Sequence, residues 1–489
     1  MVSYLETLAE ASPRVRLLEQ GTSWEGRRLV AVVVTAPSNM ERLEAIRRGS
    51  ATLADPRGST SSEIESVVAE QPIVVWYGGS IHGNELSGSE GLMKLLEHLT
   101  TRDDQATREV MEDAVLLIDP MLNPDGRDAF ARANLETGGR RADPATKHWG
   151  NDWDGWDGIK FRTGHYFFDT NRDWFAQTQA ETRARVPTML AWHPQVSVDA
   201  HEMGSDAEFY FDPAAEPYGP FFPSYARQGF ELFNRAYAAA FDSAGFEYMT
   251  RERYNYFYPG YTTSYSSYQG AVGMLYEQGS SRGLAIERPD GSVRTLGEAL
   301  EHQYVAAWAA ARASVRERER LLSDYVEGRR AAVEDGESGV RRYLLPPGDD
   351  PARRAELVNT LRRNGIEVRR LTSDVRIESL RDREGRPAEA RSFPAGTYVV
   401  EAAQPANRLV RALLEPDNPL PEGFLEEARA RVDRDESPRF YDITAWSLPL
   451  LFDQVAFGTR AGQDLPTTAV TSDVRTGGAA PDRPGYAYL

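Results

Sequence analysis

Cysteine is absent from all 489 positions. That excludes disulfides, thiolate nucleophiles and cysteine-ligated zinc, so any metal must be taken by His and carboxylates. Histidine is scarce, with seven in the chain, which makes each one informative. Long apolar runs are lacking: no stretch approaches the roughly 18 uninterrupted apolar residues of a membrane span. Residues 1–20 (MVSYLETLAEASPRVRLLEQ) have neither the basic start nor the apolar middle of a signal peptide, so the chain either stays inside the cell or begins after a removed signal. Positive charge is outweighed, with 74 acidic against 56 basic residues and a formal charge of -18. This balance works against binding a phosphate backbone and argues against a nucleic-acid partner.

What is present is globular: 41% apolar and 10% aromatic residues, in a chain too long for one ordinary core. Short apolar runs predict strands at Leu29 to Thr35, Ile73 to Tyr77, Ala114 to Ile118, Val196 to Ala200 and Met274 to Tyr276. Amphipathic stretches lie between them, notably Glu85 to Leu99, with Leu92, Leu95, Leu96 and Leu99 on one stripe, and Pro223 to Ser243. Alternating strands and helices predict an α/β fold, a mixed, mostly parallel sheet flanked by helices. A long helical pattern from Leu296 to about Val333 is followed by a restart at Arg342 to Leu345, which reads as a domain boundary. We therefore expect a large domain over 1–325, a smaller C-terminal α/β domain over 335–460, and a loosely structured or truncated tail over 461–489, rich in Gly, Pro, Thr and Asp.

After the strand Ile73 to Tyr77 comes Gly78-Gly79-Ser80-Ile81-His82-Gly83-Asn84-Glu85, then a helix. A turn at the carboxyl end of a parallel strand is where open α/β sheets place their sites. His82 and Glu85, three apart at a helix start, can converge on one ion. A catalytic zinc takes three protein ligands and keeps one open position, so a further His is needed. His201 is the best candidate, because it follows Val196 to Ala200 and precedes Glu202-Met203-Gly204. His98 and His302 sit in helical patterns, His148 and His165 in a Trp- and Gly-rich loop, and His193 before a proline. For these five a structural role is favoured.

The chain resembles the zinc metallocarboxypeptidases, the carboxypeptidase A-like peptidases. These carry an H-x-x-E pair after a strand, an N-P-D-G turn, an N-R pair, a single His and a late Glu. Here the elements occur in that order as His82/Glu85, Asn123-Pro124-Asp125-Gly126, Asn171-Arg172, His201 and Glu277, over about residues 4 to 310. The resemblance implies a peptidase with one zinc per chain on His82, Glu85 and His201, and Glu277 as general base. Asn171 and Arg172 would clamp the C-terminal carboxylate of a peptide, Arg172 with its planar fork. The family also stabilises the developing oxyanion with an Arg after N-P-D-G. Arg132 is chosen for that role over Arg127, Arg140 and Arg162, and Tyr261 as the substrate-capping Tyr among Tyr254, Tyr256, Tyr258, Tyr261, Tyr265 and Tyr268. Relatives are usually exported.

Two departures stand out: Asn84 replaces the family's common Arg beside the zinc Glu, and an insertion, Lys147 to Gly164, lengthens the loop before Asn171. Its Asp152-Trp153-Asp154-Gly155-Trp156-Asp157 has spaced carboxylates, but no twelfth-position Glu completes a calcium loop, and a plain acidic surface loop is favoured. The competing enzyme readings are an aspartoacylase-like zinc amidohydrolase of small N-acyl amino acids, and a serine hydrolase built on Gly279-Ser280-Ser281-Arg282-Gly283 with His302. A catalytically silent peptide-binding protein is the reading from another class.

Overall fold

The structure, a computed structural model, describes residues 1–137, 143–145, 156–436 and 445–476. The fold divides into two units. The first comprises Met1–Ala332 and the segment from Pro419, and the second Val333–Asn418 and the chain from Ala445. The second unit is thus not the continuous stretch 335–460 expected from the sequence, because the chain leaves it at Pro419 and returns at Ala445.

A seven-stranded sheet organises the first unit. Its strands are β1 (Val15–Thr22), β2 (Arg28–Val34), β3 (Ile73–Gly79), β4 (Ala114–Asp119), β5 (Val196–Met203), β6 (Phe209–Phe211) and β7 (Val272–Gly279), in the order β1-β2-β4-β3-β5-β7-β6. β4, β3, β5 and β7 pair in parallel, and the outer pairings are antiparallel. The parallel strands are buried along their whole length, which explains why β3 and β4 read as near-continuous apolar runs, while β5 and β7 also bury polar residues at their carboxyl ends. β1 and β6 escape such a reading: β1 (VRLLEQGT) is a half-exposed edge strand, and β6 has only three residues.

Alternate side chains of β3 enter two cores. On one face Val75 and Tyr77 join a core with Leu92, Leu95, Leu96 and Leu99 of the helix Leu86–Thr101, Phe230 and Phe233 of Ser224–Ala244, and Ala306, Ala307 and Ala310 of Leu296–Arg316. The Tyr77 hydroxyl is satisfied there by the Ala307 carbonyl at 3.0 Å. On the other face Trp76 meets Trp174 edge to face at 6.0 Å, and Trp174 meets Tyr265 of the helix Thr262–Tyr268. Burial of each large apolar side chain contributes about 1.5–3 kcal/mol.

The helical pattern predicted from Leu296 to Val333 is two helices, Leu296–Arg316 and Arg318–Gly336, broken at Glu317. At the break Arg318 turns onto the C-terminus of Ser61–Glu70 and donates to the carbonyls of Val68 (3.0 Å), Gln71 (2.7 Å) and Ala69 (3.0 Å), a cation where helix carbonyls lack partners. Among the described residues no helix is long and apolar enough to cross a membrane.

The second unit has its own seven-stranded sheet, antiparallel in every pairing. Its core includes Leu344, Leu371, Ile377, Phe393 and Val399. Thr467–Ala469, expected to lie in a loose tail, pairs as an edge strand with Arg369–Leu371. Arg362 donates to the Val470 carbonyl and Asn359 to that of Val474. Backbone pairing and these polar clasps hold the segment without an apolar pattern to announce it.

Candidate active site

The site lies at the carboxyl ends of β3, β5 and β7. β5 and β7 run further than their apolar runs suggest, to Met203 and Gly279, so His201 and Glu277 lie within the strands and face each other in register. Neighbouring strands are about 4.8 Å apart, which brings the two side chains to one place. His82 and Glu85 stand in the turn before the helix Leu86–Thr101, not on its first turn. Ser80, at φ 56°, starts the turn, and its hydroxyl donates to the Glu85 carbonyl at 3.1 Å.

Two glycines set this turn against its neighbours. A Cβ on Gly83 would lie 2.1 Å from the Gly126 carbonyl carbon, and one on Gly126 would lie 2.5 Å from the Phe161 carbonyl oxygen; neither space admits a side chain. The Asn123 side-chain oxygen accepts from Gly126 N–H at 2.9 Å, while its amide donates to the carbonyls of Arg162 (3.2 Å) and Thr163 (3.0 Å). The N-P-D-G turn is therefore a bracket between the His82 turn and the helix Trp156–Arg162.

Both imidazoles turn Nδ1 toward one carboxylate. His82 Nδ1 is 2.7 Å from Glu85 Oε1, and His201 Nδ1 is 2.9 Å from Glu85 Oε2. The ligand atoms of His82, Glu85 and His201 all lie within 4.8 Å of one another, and all three residues are buried, so the group can hold a metal ion. Behind them, His82 Nε2 rests on Asp169 Oδ1 at 3.1 Å and His201 Nε2 on Asp199 Oδ2 at 2.6 Å. A carboxylate behind each imidazole fixes the ring and frees Nδ1 as the ligand, the outer arrangement that metal-binding histidines use. Burial opposes charge at His201, but Asp199 and Glu85 hold its pKa well above the ordinary value. Burial likewise opposes charge on Glu85, and His82 and His201 outweigh it and hold that carboxyl well below the usual range. These carboxylates demand a positive charge at the spot a cation would occupy.

A cavity of about 330 Å³ opens from this cluster, lined among others by Arg162, Asn171, Arg172, Tyr254, Tyr261 and Glu277. Glu277 is 8% exposed, and burial pushes its carboxyl up to about 8, with His201 opposing and Glu85 adding to the shift. Asn171 accepts from the Thr262 N–H (2.9 Å) and hydroxyl (2.8 Å), and its amide nitrogen lies 3.3 Å from His201 Nε2. Arg172 lies over the Tyr261 ring at 4.7 Å.

Arg132 is not brought here. It is 67% exposed on the helix Pro124–Thr137 and pairs with Asp128 at 2.8 Å, one turn back on the same helix. Arg127 is bound to Glu90. Arg162 reaches the cavity instead, 3.3 Å from Glu85 Oε1 and 3.1 Å from Asp169 Oδ2. Tyr254, at φ 59°, also lines the cavity; burial first, then the Glu277 charge, drives its hydroxyl well above its ordinary pKa. Asn84 is buried and does not line the cavity.

The other described histidines serve elsewhere. His98 bonds Tyr304 and Thr107, His165 lies on Glu25, His193 caps a helix at φ 47°, and His302 bonds Gln278. Ser281 donates to the Gly283 carbonyl, so the serine-hydrolase reading lacks its Ser–His pair. His148 and the Asp152 to Asp157 carboxylates lie outside the residues whose side chains are described.

The zinc carboxypeptidase family profile matches residues 1–299. The chain belongs to the zinc carboxypeptidase family. Among curated relatives of this chain, carboxypeptidase 2 of Trichophyton rubrum is 25% identical over 151 residues, 31% of this chain and 22% of that protein. A probable carboxypeptidase 2 of Trichophyton verrucosum is 24% identical over 151 residues, again 31% of this chain and 23% of that one. The match thus spans less than a quarter of either relative's length. Solved structures similar to the family member described here include a metallo-carboxypeptidase of Burkholderia cenocepacia, at 15% identity and TM-score 0.43, covering 63% of this chain and 67% of that one. A Pseudomonas aeruginosa metallo-carboxypeptidase in complex with (2-guanidinoethylmercapto)succinic acid has 16% identity and TM-score 0.44, covering 65% and 68%. The family is one of zinc-dependent metallopeptidases.

Proposed function

We propose that this chain removes residues from the C-terminus of peptides, with one zinc ion on His82, Glu85 and His201. The observation that carries the reading is the convergence of His82 Nδ1 and His201 Nδ1 on the two oxygens of Glu85, with Glu277 in the same cavity. The donor set of two imidazoles and one carboxylate suits zinc, and it matches the number of protein ligands that leaves a position open. Zinc, when bound, supplies a Lewis acid and lowers the pKa of water.

Glu277 is the general base. It takes the proton of the attacking water and delivers it to the leaving amine. Its desolvated setting suits both steps, because a carboxyl raised toward neutrality accepts and releases a proton near working pH. Arg162 directs a guanidinium at the carbonyl oxygen as negative charge grows there, in a cavity where water screens it little. Asn171 and Arg172 hold the free carboxylate of the peptide, Arg172 kept in place by Asp169 and the Tyr261 ring. Tyr254 stands beside Glu277 and bounds the substrate on that side.

The test is zinc content together with turnover of a peptide whose C-terminus is free or amidated. One zinc per chain and cleavage of the free peptide alone are the expected results. Cleavage of small N-acyl amino acids in preference to peptides would replace the reading with amidohydrolysis, and zinc with peptide binding but no cleavage would leave a binding protein.

A further inference from the structure

The cavity is small for a peptide. At about 330 Å³ it stands at the low end of the roughly 300–1,000 Å³ of ligand pockets, so a chain of more than a few residues must continue outside it. The loop that joins Arg162 to Asn171, two residues of the cavity wall, has an unusual composition. Tyr166, Phe167 and Phe168 are consecutive and 55%, 50% and 57% exposed. Trp24, also half-exposed, meets Tyr166 edge to face at 5.1 Å.

This strip lies on a loop whose two ends belong to the cavity wall. The chain leaves the wall at Arg162, turns outward, and returns at Asn171 and Arg172, all three lining the cavity. The excursion is closed by Gly164 N–H to the Phe168 carbonyl and Phe167 N–H to the Gly164 carbonyl, each 3.0 Å. Phe168 is three residues from Asn171, so their Cα atoms are no more than about 11 Å apart. Phe167 takes φ 61°, a conformation that costs a bulky residue free energy. Three consecutive large rings, each about half exposed, on a loop anchored at both ends in the cavity wall mark a contact surface more often than chance exposure does.

We propose that Tyr166, Phe167 and Phe168 form a rim that receives apolar side chains of a peptide substrate upstream of the bond that is cut. The inference rests on the C-terminal cleavage proposed above and adds a preference that the cavity itself does not contain. An extended peptide whose last residue is anchored near Arg172 has its preceding residues within reach of a strip that begins beside the same wall.

The experiment compares two unblocked hexapeptides identical in their last two residues, with either Leu-Phe or Ser-Ser upstream, and an N-acylated dipeptide with the same two residues. Wild-type kcat/KM is expected to be about tenfold higher for the Leu-Phe peptide, a difference of about 1.4 kcal/mol. In Phe167→Ser/Phe168→Ser the ratio should fall close to one while the dipeptide is turned over as before, which also checks folding. Phe168→Ser alone should give an intermediate ratio. A wild-type ratio near one, or a ratio unchanged in the double variant, overturns the rim and leaves the proposed activity standing. Absence of cleavage of every free-carboxylate peptide by zinc-loaded wild type overturns both.

Discussion

Asp199 and His201 stand two residues apart on one strand, and the carboxylate of the first meets Nε2 of the second at 2.6 Å with both side chains buried. This contact aims Nδ1 of His201 at Glu85. Outer-shell carboxylates of this kind typically support 10–100-fold in metal affinity. Asp199→Asn should weaken zinc binding by about 10-fold or more, measured by competition with a chromogenic chelator, while zinc in excess restores most turnover. Unchanged zinc affinity would show that the strand alone positions the imidazole.

Glu277→Gln separates chemistry from metal binding. The carboxamide fills the same space but accepts no proton, so kcat should fall by about 10²–10⁴ with zinc content unchanged. His82→Ala should lose zinc and turnover together. Full activity in Glu277→Gln would remove Glu277 from the mechanism.

The pH profile carries the sign of the same step. Glu277 must be ionised to take a proton, so kcat/KM rises with pH through its titration. Burial places that carboxyl at about 8 with His201 opposing the shift; a bound divalent cation adds to that opposition and moves the acid limb below 8. Zinc-loaded protein assayed from pH 5 to 9 should show that limb, and a flat profile would contradict a carboxylate base.

Arg162 and Arg132 give opposite expectations. Arg162→Ala should lower kcat/KM by about 10²–10³, the scale of losing one oxyanion donor, whereas Arg132→Ala, which removes an exposed helix ion pair, should leave it within twofold, since such pairs contribute only about 0.3–0.5 kcal/mol to stability. The comparison is read from steady-state kinetics on one peptide. Equal effects would leave neither guanidinium favoured as the oxyanion partner.

Asp212 gives stability a pH dependence away from the chemistry. It accepts from the Tyr256 hydroxyl and Leu275 N–H, each at 2.6 Å, yet burial pushes its carboxyl from 3.8 up to about 7. Between those values the folded chain keeps a proton that the unfolded chain has released, so Asp212 makes stability fall as pH rises from about 4 to 7. Below about 4 both states are protonated and the slope vanishes. The urea midpoint should drop more between pH 5 and 8 in wild type than in Asp212→Asn, and equal drops would exclude Asp212 as the source.

The parallel centre of the sheet was legible because strands buried on both faces are rich in apolar residues, with the polar residues of β5 and β7 gathered mostly toward their carboxyl ends. The convergence of His82, Glu85 and His201 was legible because scarcity made each His count and strand ends limited where a third such side chain could stand. Arg162 was not, since the helix that carries it lies in the insertion and no spacing rule links it to Asn123. The signal that existed was Asn123 itself, whose side chain is spent on holding the Arg162 and Thr163 carbonyls. Among the crowded tyrosines, Tyr254 reaches Glu277's side of the cavity through a positive φ, which periodicity does not reveal. The edge strand Thr467–Ala469 is invisible for a different reason: backbone hydrogen bonds carry it.

Asp169 ends one oxygen on His82 and the other near both Arg162 and Arg172. On the proposed reading, retention of the ion and grip on the peptide's terminal anion share this carboxylate, and linkage makes such sharing reciprocal in binding free energy. A peptide or product seated on Arg172 should tighten zinc binding measured at equilibrium against a chelator, and a demetallated protein should hold its peptides more loosely.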